Sequence, residues 1–277
     1  MYYLETNALR ILCNKLGNLF IYNNCFTSIL SIVELLSGIS DNLSYNQRKG
    51  IIRKVLLASI NVEIDLPETK VYKAYGISLN NNDLTTKILE ITQILIKSVT
   101  LDDFLDKVAS SQLSEYWKFL QTYDEIGDIQ FKKSFKQRQN IFEYTDSDIP
   151  DFVNKWEVLS KDLRLRDETL KDIIAYYAEI PFKKDSPVKV ENKNVNDLIN
   201  NYDHSLDIYL LCSGYFSGTK IIYKNAPSRN DYFDLHHLAY LNSKKDTIVS
   251  NDDMLRRLLE KFYPSNYISI LDFEKLL

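Results

Sequence analysis

The first eight residues of the chain, MYYLETNA (residues 1–8), decide its fold class. The first four are apolar or aromatic, a composition typical of a short buried strand. Glu5, Thr6 and Asn7 follow directly, and polar side chains in this place begin helices because they satisfy unpaired backbone N–H groups. The stretch therefore predicts a strand that passes at once into a helix starting near Ala8.

Two more units of this kind follow along the chain. Residues 25–30 and 61–66 are rich in apolar residues and predict the second and third strands. Ser31 and Glu34 after the second strand have the spacing of a capping box, and Pro67 after the third stands where a helix begins. Strands that alternate with helices in this way indicate a parallel sheet with crossover helices.

The middle of the chain has a different pattern. Its apolar residues recur at helical spacing, without strand-like alternation. We expect helices near residues 84–95, 100–108, 149–156, 170–177 and 198–214, and a polar loop over 183–196.

The alternation of strand and helix returns near the end of the chain. Residues 247–249 and 267–271 predict two more strands, with helical runs between and before them. We therefore predict an α/β fold, a three-layer α/β/α domain with a central, mostly parallel sheet. It is formed by residues 1–78 and 226–277, and residues 79–225 are a large helical insertion.

Composition excludes several classes of binding site. The seven glycines, at positions 17, 38, 50, 76, 127, 214 and 218, are too far apart to form GxGxxG or GxxxxGK, so the phosphate loops of ordinary nicotinamide and P-loop sites are excluded. The net charge of −4 argues against binding of polyanions through overall charge.

The same sequence predicts a cytoplasmic protein without membrane contact. Its three cysteines (Cys13, Cys25 and Cys212) form no CxxC pair, which favours a reducing compartment, and Cys212 lies in an apolar run typical of the core. The first residues lack the basic region of a signal peptide, and no uncharged apolar run reaches the roughly 18 residues that span a membrane.

Acidic residues follow or flank the predicted strands. Glu5 follows the first strand, Glu34 the second, and Asp252 the fourth, while Asp234 opens the helix before the fourth strand. Ligands of open parallel sheets bind beyond the carboxyl ends of the strands, so we expect these carboxylates to converge. Carboxylates so close together need a compensating cation, and Mg²⁺ or Mn²⁺ prefers oxygen ligands and bridges to phosphates. One or two such ions would support hydrolysis of a phosphodiester.

The acidic residues lie in segments that resemble the motifs of the PIN domain family. The resemblance is confined to residues 1–78 and 226–277, and each motif alone is weakly specific, whereas their order is more so. The segments are Leu4-Glu5-Thr6-Asn7-Ala8, Ser31-Ile32-Val33-Glu34-Leu35-Leu36, Asp231-Tyr232-Phe233-Asp234-Leu235, Val249-Ser250-Asn251-Asp252, and the closing strand Tyr267-Ile268-Ser269-Ile270-Leu271.

The resemblance implies a Mg²⁺- or Mn²⁺-dependent endoribonuclease that acts on single-stranded or looped RNA, as toxins of toxin–antitoxin pairs and defence nucleases do. It leaves open an antitoxin-like protein partner and a homodimer. By motif, the metal ligands and catalytic residues are Glu5, Glu34, Asp234 and Asp252, and the supporting residues are Thr6, Asn7, Ser250, Asp231 and Asp253.

One departure from the family pattern keeps other functions open. The first acid of the family is an aspartate, whereas this chain has Glu5, which carries the same charge on a longer side chain. The alternatives are a catalytically silent PIN-like module that binds RNA or protein, and a nuclease that recognises DNA structures.

Simpler roles compete with catalysis at each of these positions. Acids after strands often only cap helices. His236 and His237 are neighbours on one helix, so we expect one to pack against the sheet and the other to lie near the surface. Basic clusters usually form solvated helix faces, or alternatively a nucleic-acid surface; they are Arg48, Lys49, Arg53 and Lys54, and Lys132, Lys133, Lys136 and Arg138 interleaved with Phe131, Phe135, Phe142 and Tyr144.

Overall fold

A computed structural model describes residues 1–79, 82–141, 145–183, 188, 190, 193–228 and 230–277. Within them, five strands form one sheet in the order β3-β2-β1-β4-β5, and all neighbouring strands are parallel. The α/β prediction and its five strands are confirmed, although the strands are short. They are β1 (Tyr2–Leu4), β2 (Cys25–Ser28), β3 (Asn61–Glu63), β4 (Thr247–Ser250) and β5 (Tyr267–Ser269).

Helices make up most of the rest of the described chain. They are α1 (Thr6–Ile11), α2 (Leu19–Asn24), α3 (Ile29–Ser37), α4 (Asn42–Leu57), α5 (Pro67–Ala74), α6 (Asn82–Lys97), α7 (Leu101–Ser110), α8 (Ser114–Ile141), α9 (Ile149–Lys161), α10 (Leu163–Glu179), α11 (Val195–Asn201), α12 (Asp207–Ile222), α13 (Asp231–His237), α14 (Asp253–Phe262) and α15 (Ile270–Glu274).

The sheet is buried on both faces. Tyr3 and Ile248 belong to one hydrophobic core, and Leu4 and Val249 belong to another, because successive side chains of a strand point to opposite faces. All four side chains are fully buried. Helices therefore cover both sides of the sheet, which is the arrangement expected for a parallel sheet.

The connections of the sheet reverse direction between β1 and β4. Helices α1 to α4, which join β1 to β2 and β2 to β3, contribute to the core on the Leu4 side. Helices α13 and α14, before and after β4, contribute to the core on the Tyr3 side. The chain thus leaves the carboxyl ends of β1 and β4 toward opposite faces, and such a reversal opens a crevice where ligands bind.

Helices of the predicted insertion pack on both faces of this sheet. Ile88 of α6 and Phe104 of α7 lie in the core with Leu4. Leu170 of α10 and Leu210 of α12 lie in the core with Tyr3. Residues 79–225 therefore share their apolar cores with the strands at both ends of the chain.

The predicted capping box at Ser31 and Glu34 is wrong. The strand ends earlier than expected, at Ser28, whose hydroxyl accepts a hydrogen bond from the Ser31 backbone N–H at 3.3 Å and so caps α3. Helix α3 consequently starts at Ile29, and Glu34 lies in its second turn, where its side chain is available to the crevice.

The predicted helix over 198–214 is also wrong, because it is two helices. His204 lies between α11 and α12 with a φ of 61°, a left-handed conformation that no helix continues through. Gly214 does not end the second helix, and α12 runs on to Ile222. The predicted loop over 183–196 lies largely outside the described residues.

Two helical glycines offer a matched test of the packing. In α4, a Cβ at Gly50 would meet no heavy atom within 4 Å, whereas in α8 a Cβ at Gly127 would lie 2.5 Å from the Tyr232 ring. We expect Gly50→Ala to raise the free energy of unfolding by about 0.5–1 kcal/mol through helix propensity. Gly127→Ala should lower it by about 1–2 kcal/mol, because the overpacked ring must move. Urea unfolding of both variants checks this, and equal effects would contradict the contact between α8 and α13.

None of the helices within the described ranges is both long and apolar enough to cross a membrane. Cys13, Cys25 and Cys212 are all free thiols, and Cys212 is fully buried, as expected of a small core residue.

Candidate active site

Three of the four predicted acids line one cavity at the crevice. Glu5 follows β1 as the N-cap residue of α1, Glu34 projects from α3, and Asp234 lies in the first turn of α13. The cavity that they line has a volume of about 230 Å³. Carboxylates from widely separated parts of the chain are thus brought together, as the parallel topology predicts.

Glu5 is the most enclosed of these acids. Its side chain leaves the residue only 3% exposed, and its Oε2 accepts a hydrogen bond from the Asn7 backbone N–H at 2.5 Å. Its Oε1 is buried and accepts no hydrogen bond from the described residues. Burial raises the pKa of Glu5 to about 7, and the neighbouring Glu34 adds to the rise, while His237 and the Asn7 N–H oppose it.

Asp234 shares its surroundings with the other acids. Burial raises its pKa to about 8, and the charges of Asp252, Glu34 and Glu5 raise it further, against the opposing charge of His237. A carboxyl group with this pKa stands among like charges that no bound cation balances.

Asp252 lies next to the cavity without lining it. Its backbone N–H donates to Ser250 Oγ at 2.9 Å, and its Oδ1 accepts the Leu255 N–H at 2.8 Å, so that it caps α14. Its charge is the strongest neighbouring influence that raises the pKa of Asp234.

The two alternate acids have other contacts. Asp231 is buried at the start of α13, where it accepts hydrogen bonds from Ser228 and pairs with Lys220 at 3.3 Å. Asp253 has a side chain that is 74% exposed and pairs with Arg256 at 2.6 Å. Neither residue lines the cavity.

Glu34 belongs to a buried hydrogen-bond network. Its Oε2 accepts hydrogen bonds from Thr6 Oγ1 and, at 2.8 Å, from His237 Nε2. The other ring nitrogen of His237 lies 2.6 Å from the Tyr3 hydroxyl, which in turn lies 2.7 Å from Ser28 Oγ. Burial alone would lower the pKa of His237, but Tyr3, Glu34 and Glu5 raise it well above its ordinary value.

His237 is therefore the site residue whose contact with Glu34 the sequence did not reveal. Packing against the sheet was expected of one of the two histidines, and His237 is 1% exposed beside Tyr3. Its spacing of three residues from Asp234 was the available signal, since residues three apart share a helix face. His236 is half-buried, and its Nδ1 lies 2.6 Å from the Tyr232 carbonyl oxygen, away from the network.

Two arginines, Arg10 and Arg48, line the same cavity. The guanidinium of Arg48 lies over Gly38, where a Cβ would come within 2.0 Å of Cζ, and its Nη1 donates to the Glu34 carbonyl oxygen at 3.1 Å. A glycine at position 38 thus allows this arginine to approach the end of α3. The cavity consequently combines carboxylates with guanidinium groups, which are well suited to phosphate oxygens.

The second basic cluster does not form the base-stacking surface that was one of its two interpretations. Phe135 is only 2% exposed, and its ring lies 6.2 Å from that of Phe216 in the core. Lys132 pairs with Asp128 at 2.7 Å. The side chains of Arg138, Phe142 and Tyr144 lie outside the described residues.

The side chains of the cavity fit a divalent cation in charge and donor type. Carboxylate oxygens are the ligands of Mg²⁺ and Mn²⁺, and the buried Glu5 Oε1 lacks a donor that would satisfy it. In the part of the chain that the structure describes, however, no three Asp, Glu, His or Cys side chains are close enough together to enclose an ion. A bound ion would therefore require the carboxylates to move toward it.

Comparison of the chain with models of known protein families, with curated proteins and with solved structures finds no match.

Proposed function

We propose that this protein is a PIN-like, Mg²⁺- or Mn²⁺-dependent endoribonuclease that hydrolyses phosphodiester bonds of RNA. The observation that carries the proposal is the shared cavity of Glu5, Glu34 and Asp234, with a buried carboxylate oxygen of Glu5 that has no hydrogen-bond donor among the described residues. Carboxylates kept together at this cost in electrostatic energy are typical of functional sites.

Each residue of the cavity has a role in this proposal. Glu5, Glu34, Asp234 and Asp252 would hold the cation, which when bound activates water and neutralises charge on the phosphate. Arg10 and Arg48 supply positive charge for the RNA backbone at the rim of the acidic cavity.

The protein also holds two of these acids in fixed orientations. Thr6 fixes Glu34 through a side-chain hydrogen bond, and Ser250 fixes the backbone of Asp252. Such fixed orientations matter because displacements of about 1 Å in an active site are costly to the rate.

A second candidate is a catalytically silent module of the same fold. The observation that favours it is the pairing of Glu34 with His237 at 2.8 Å, which provides a protein donor where a metal ligand is expected. The silent module predicts no saturable binding of Mn²⁺ and no thermal stabilisation by it.

Asp252 and Asp253 provide a matched pair of variants for the test. Asparagine is as good an N-cap residue as aspartate, so Asp252→Asn removes a charge beside the cavity and keeps the cap of α14. Asp253→Asn makes the same change one residue away on an exposed side chain. We expect Asp252→Asn to lower RNA cleavage by at least about 100-fold, and Asp253→Asn to retain it.

The assay uses a labelled RNA with single-stranded loops and a DNA of the same sequence, each with Mn²⁺ or with EDTA. Cleavage of RNA that needs Mn²⁺ and is lost only in Asp252→Asn supports the proposal. Preferred cleavage of the DNA would instead make the protein a DNA nuclease. Equal activity of both variants, or activity in EDTA, would remove the acidic cavity from the reaction.

A further inference from the structure

The oxygens of Glu34 are not equivalent. Oε2 accepts hydrogen bonds from both Thr6 Oγ1 and His237 Nε2. A carboxylate oxygen has two lone-pair positions, so two donors leave no position on Oε2 for a metal ion. Glu34 therefore has only Oε1 to offer to the cavity.

The donor from His237 does not depend on the charge of the ring. The Tyr3 hydroxyl next to Nδ1 either donates its proton to that nitrogen or accepts one from it, and it has Ser28 Oγ as a second partner. In both cases Nε2 carries a hydrogen and donates it to Glu34. The ring is held firmly, because it is 1% exposed and packs against the Tyr3 ring at 5.8 Å between centroids.

The neighbouring acids also have one oxygen engaged by the protein. Glu5 Oε2 accepts the Asn7 N–H, and Asp252 Oδ1 accepts the Leu255 N–H. A site with two ions about 4 Å apart needs carboxylates that bridge them through both oxygens. The hydrogen bonds of this cavity oppose bridging, most strongly at Glu34.

We propose that the cavity binds a single divalent cation, and that His237 is the positioning residue that limits Glu34 to one ligand oxygen. This inference rests on the proposed function, because it assigns the number of ions and the arrangement of ligands in that same site. The independent sign of a cation is the buried, unpartnered Oε1 of Glu5, which lies among the residues that line the cavity.

The number of bound ions is measured with Mn²⁺ alone. Titration of the full chain, followed by electron paramagnetic resonance of free Mn²⁺ and by calorimetry, should give one ion per chain. Two ions per chain with similar affinity would overturn the inference and leave the proposed function intact. Absence of saturable binding would overturn both.

The role of His237 is measured by the Mn²⁺ dissociation constant of three variants. His237→Leu removes the donor and should weaken binding by about 10- to 100-fold, as loss of a residue that orients a metal ligand does. His237→Gln keeps an N–H donor and should restore most of the affinity. His236→Gln is the matched control on the adjacent turn and should bind as the unaltered protein does.

Tyr3→Phe provides a further variant that removes a single oxygen from the network. It should weaken Mn²⁺ binding less than His237→Leu does, because the ring remains and only its anchor is lost. Circular dichroism establishes that each variant is folded before its affinity is measured. Unchanged Mn²⁺ affinity in folded His237→Leu or Tyr3→Phe, or equal losses in His237→Leu and His237→Gln, would overturn the positioning role.

Discussion

Replacing Asp234 by asparagine should abolish Mn²⁺-dependent cleavage of RNA and, at pH 8, stabilise the protein in the absence of metal. Both effects have one cause, which is that Asp234 holds a negative charge among Glu5, Glu34 and Asp252 at a buried position. The charge is needed to bind a cation and is unfavourable without one. Asparagine has nearly the same shape and no charge.

The expected sizes of the two effects are large. Cleavage should fall by at least about 100-fold, the usual cost of removing one stabilising group from an active site. The free energy of unfolding in EDTA should rise by about 1–3 kcal/mol, less than the pKa of about 8 would imply if the cavity were closed to solvent. The corresponding rise in Tm is roughly 2–4 °C per kcal/mol.

Kinetic assays and thermal unfolding of the same preparations measure both effects. Asp253→Asn is the control, since its exposed side chain should leave rate and Tm unchanged. A variant at position 234 that loses activity and also loses stability would contradict the electrostatic explanation, because a simple structural role would produce that combination.

The metal-free protein should become less stable as the pH rises from about 4 to about 8. The pKa of Glu5 is raised from 4.5 to about 7 and that of Asp234 from 3.8 to about 8, so the folded state keeps protons that the unfolded state has released. Stability falls with pH wherever the folded state binds more protons. The raised pKa of His237 acts in the same direction at higher pH, since the folded state also keeps that proton longer.

Urea unfolding in EDTA at a series of pH values measures this dependence. Each proton retained contributes a slope of at most about 1.4 kcal/mol per pH unit. The double variant Glu5→Gln, Asp234→Asn should flatten the curve, and Mn²⁺ added at pH 8 should restore stability to the unaltered protein by binding only the folded state. Metal-free protein that is more stable at pH 8 than at pH 5 would contradict the raised pKa values.

Much of the sheet was predictable from local patterns. Each strand is an apolar run that ends in capping residues, and Glu5 and Asp252 were expected directly after their strands. The errors came from competition between neighbouring signals. Ser28 and Ser31 are both good caps, and the structure uses Ser28, which moves Glu34 into the second turn of α3.

Tertiary contacts account for what the sequence did not reveal about the site. The bond between His237 and Glu34 joins residues far apart in the chain, and it depends on how α13 docks against α3. The approach of Arg48 to the cavity depends in the same way on the absence of a side chain at Gly38. Periodicity within one segment carries no information on such contacts.

The central position of β1 has a consequence for the order of folding during translation. It pairs with β2, which is nearby in sequence, and with β4, which is synthesised far later. Contacts between such distant segments form slowly and late. The ribosome must therefore make nearly the whole chain before Asp234 and Asp252 can join Glu5 and Glu34, so a nascent chain carries only half of the acidic cavity.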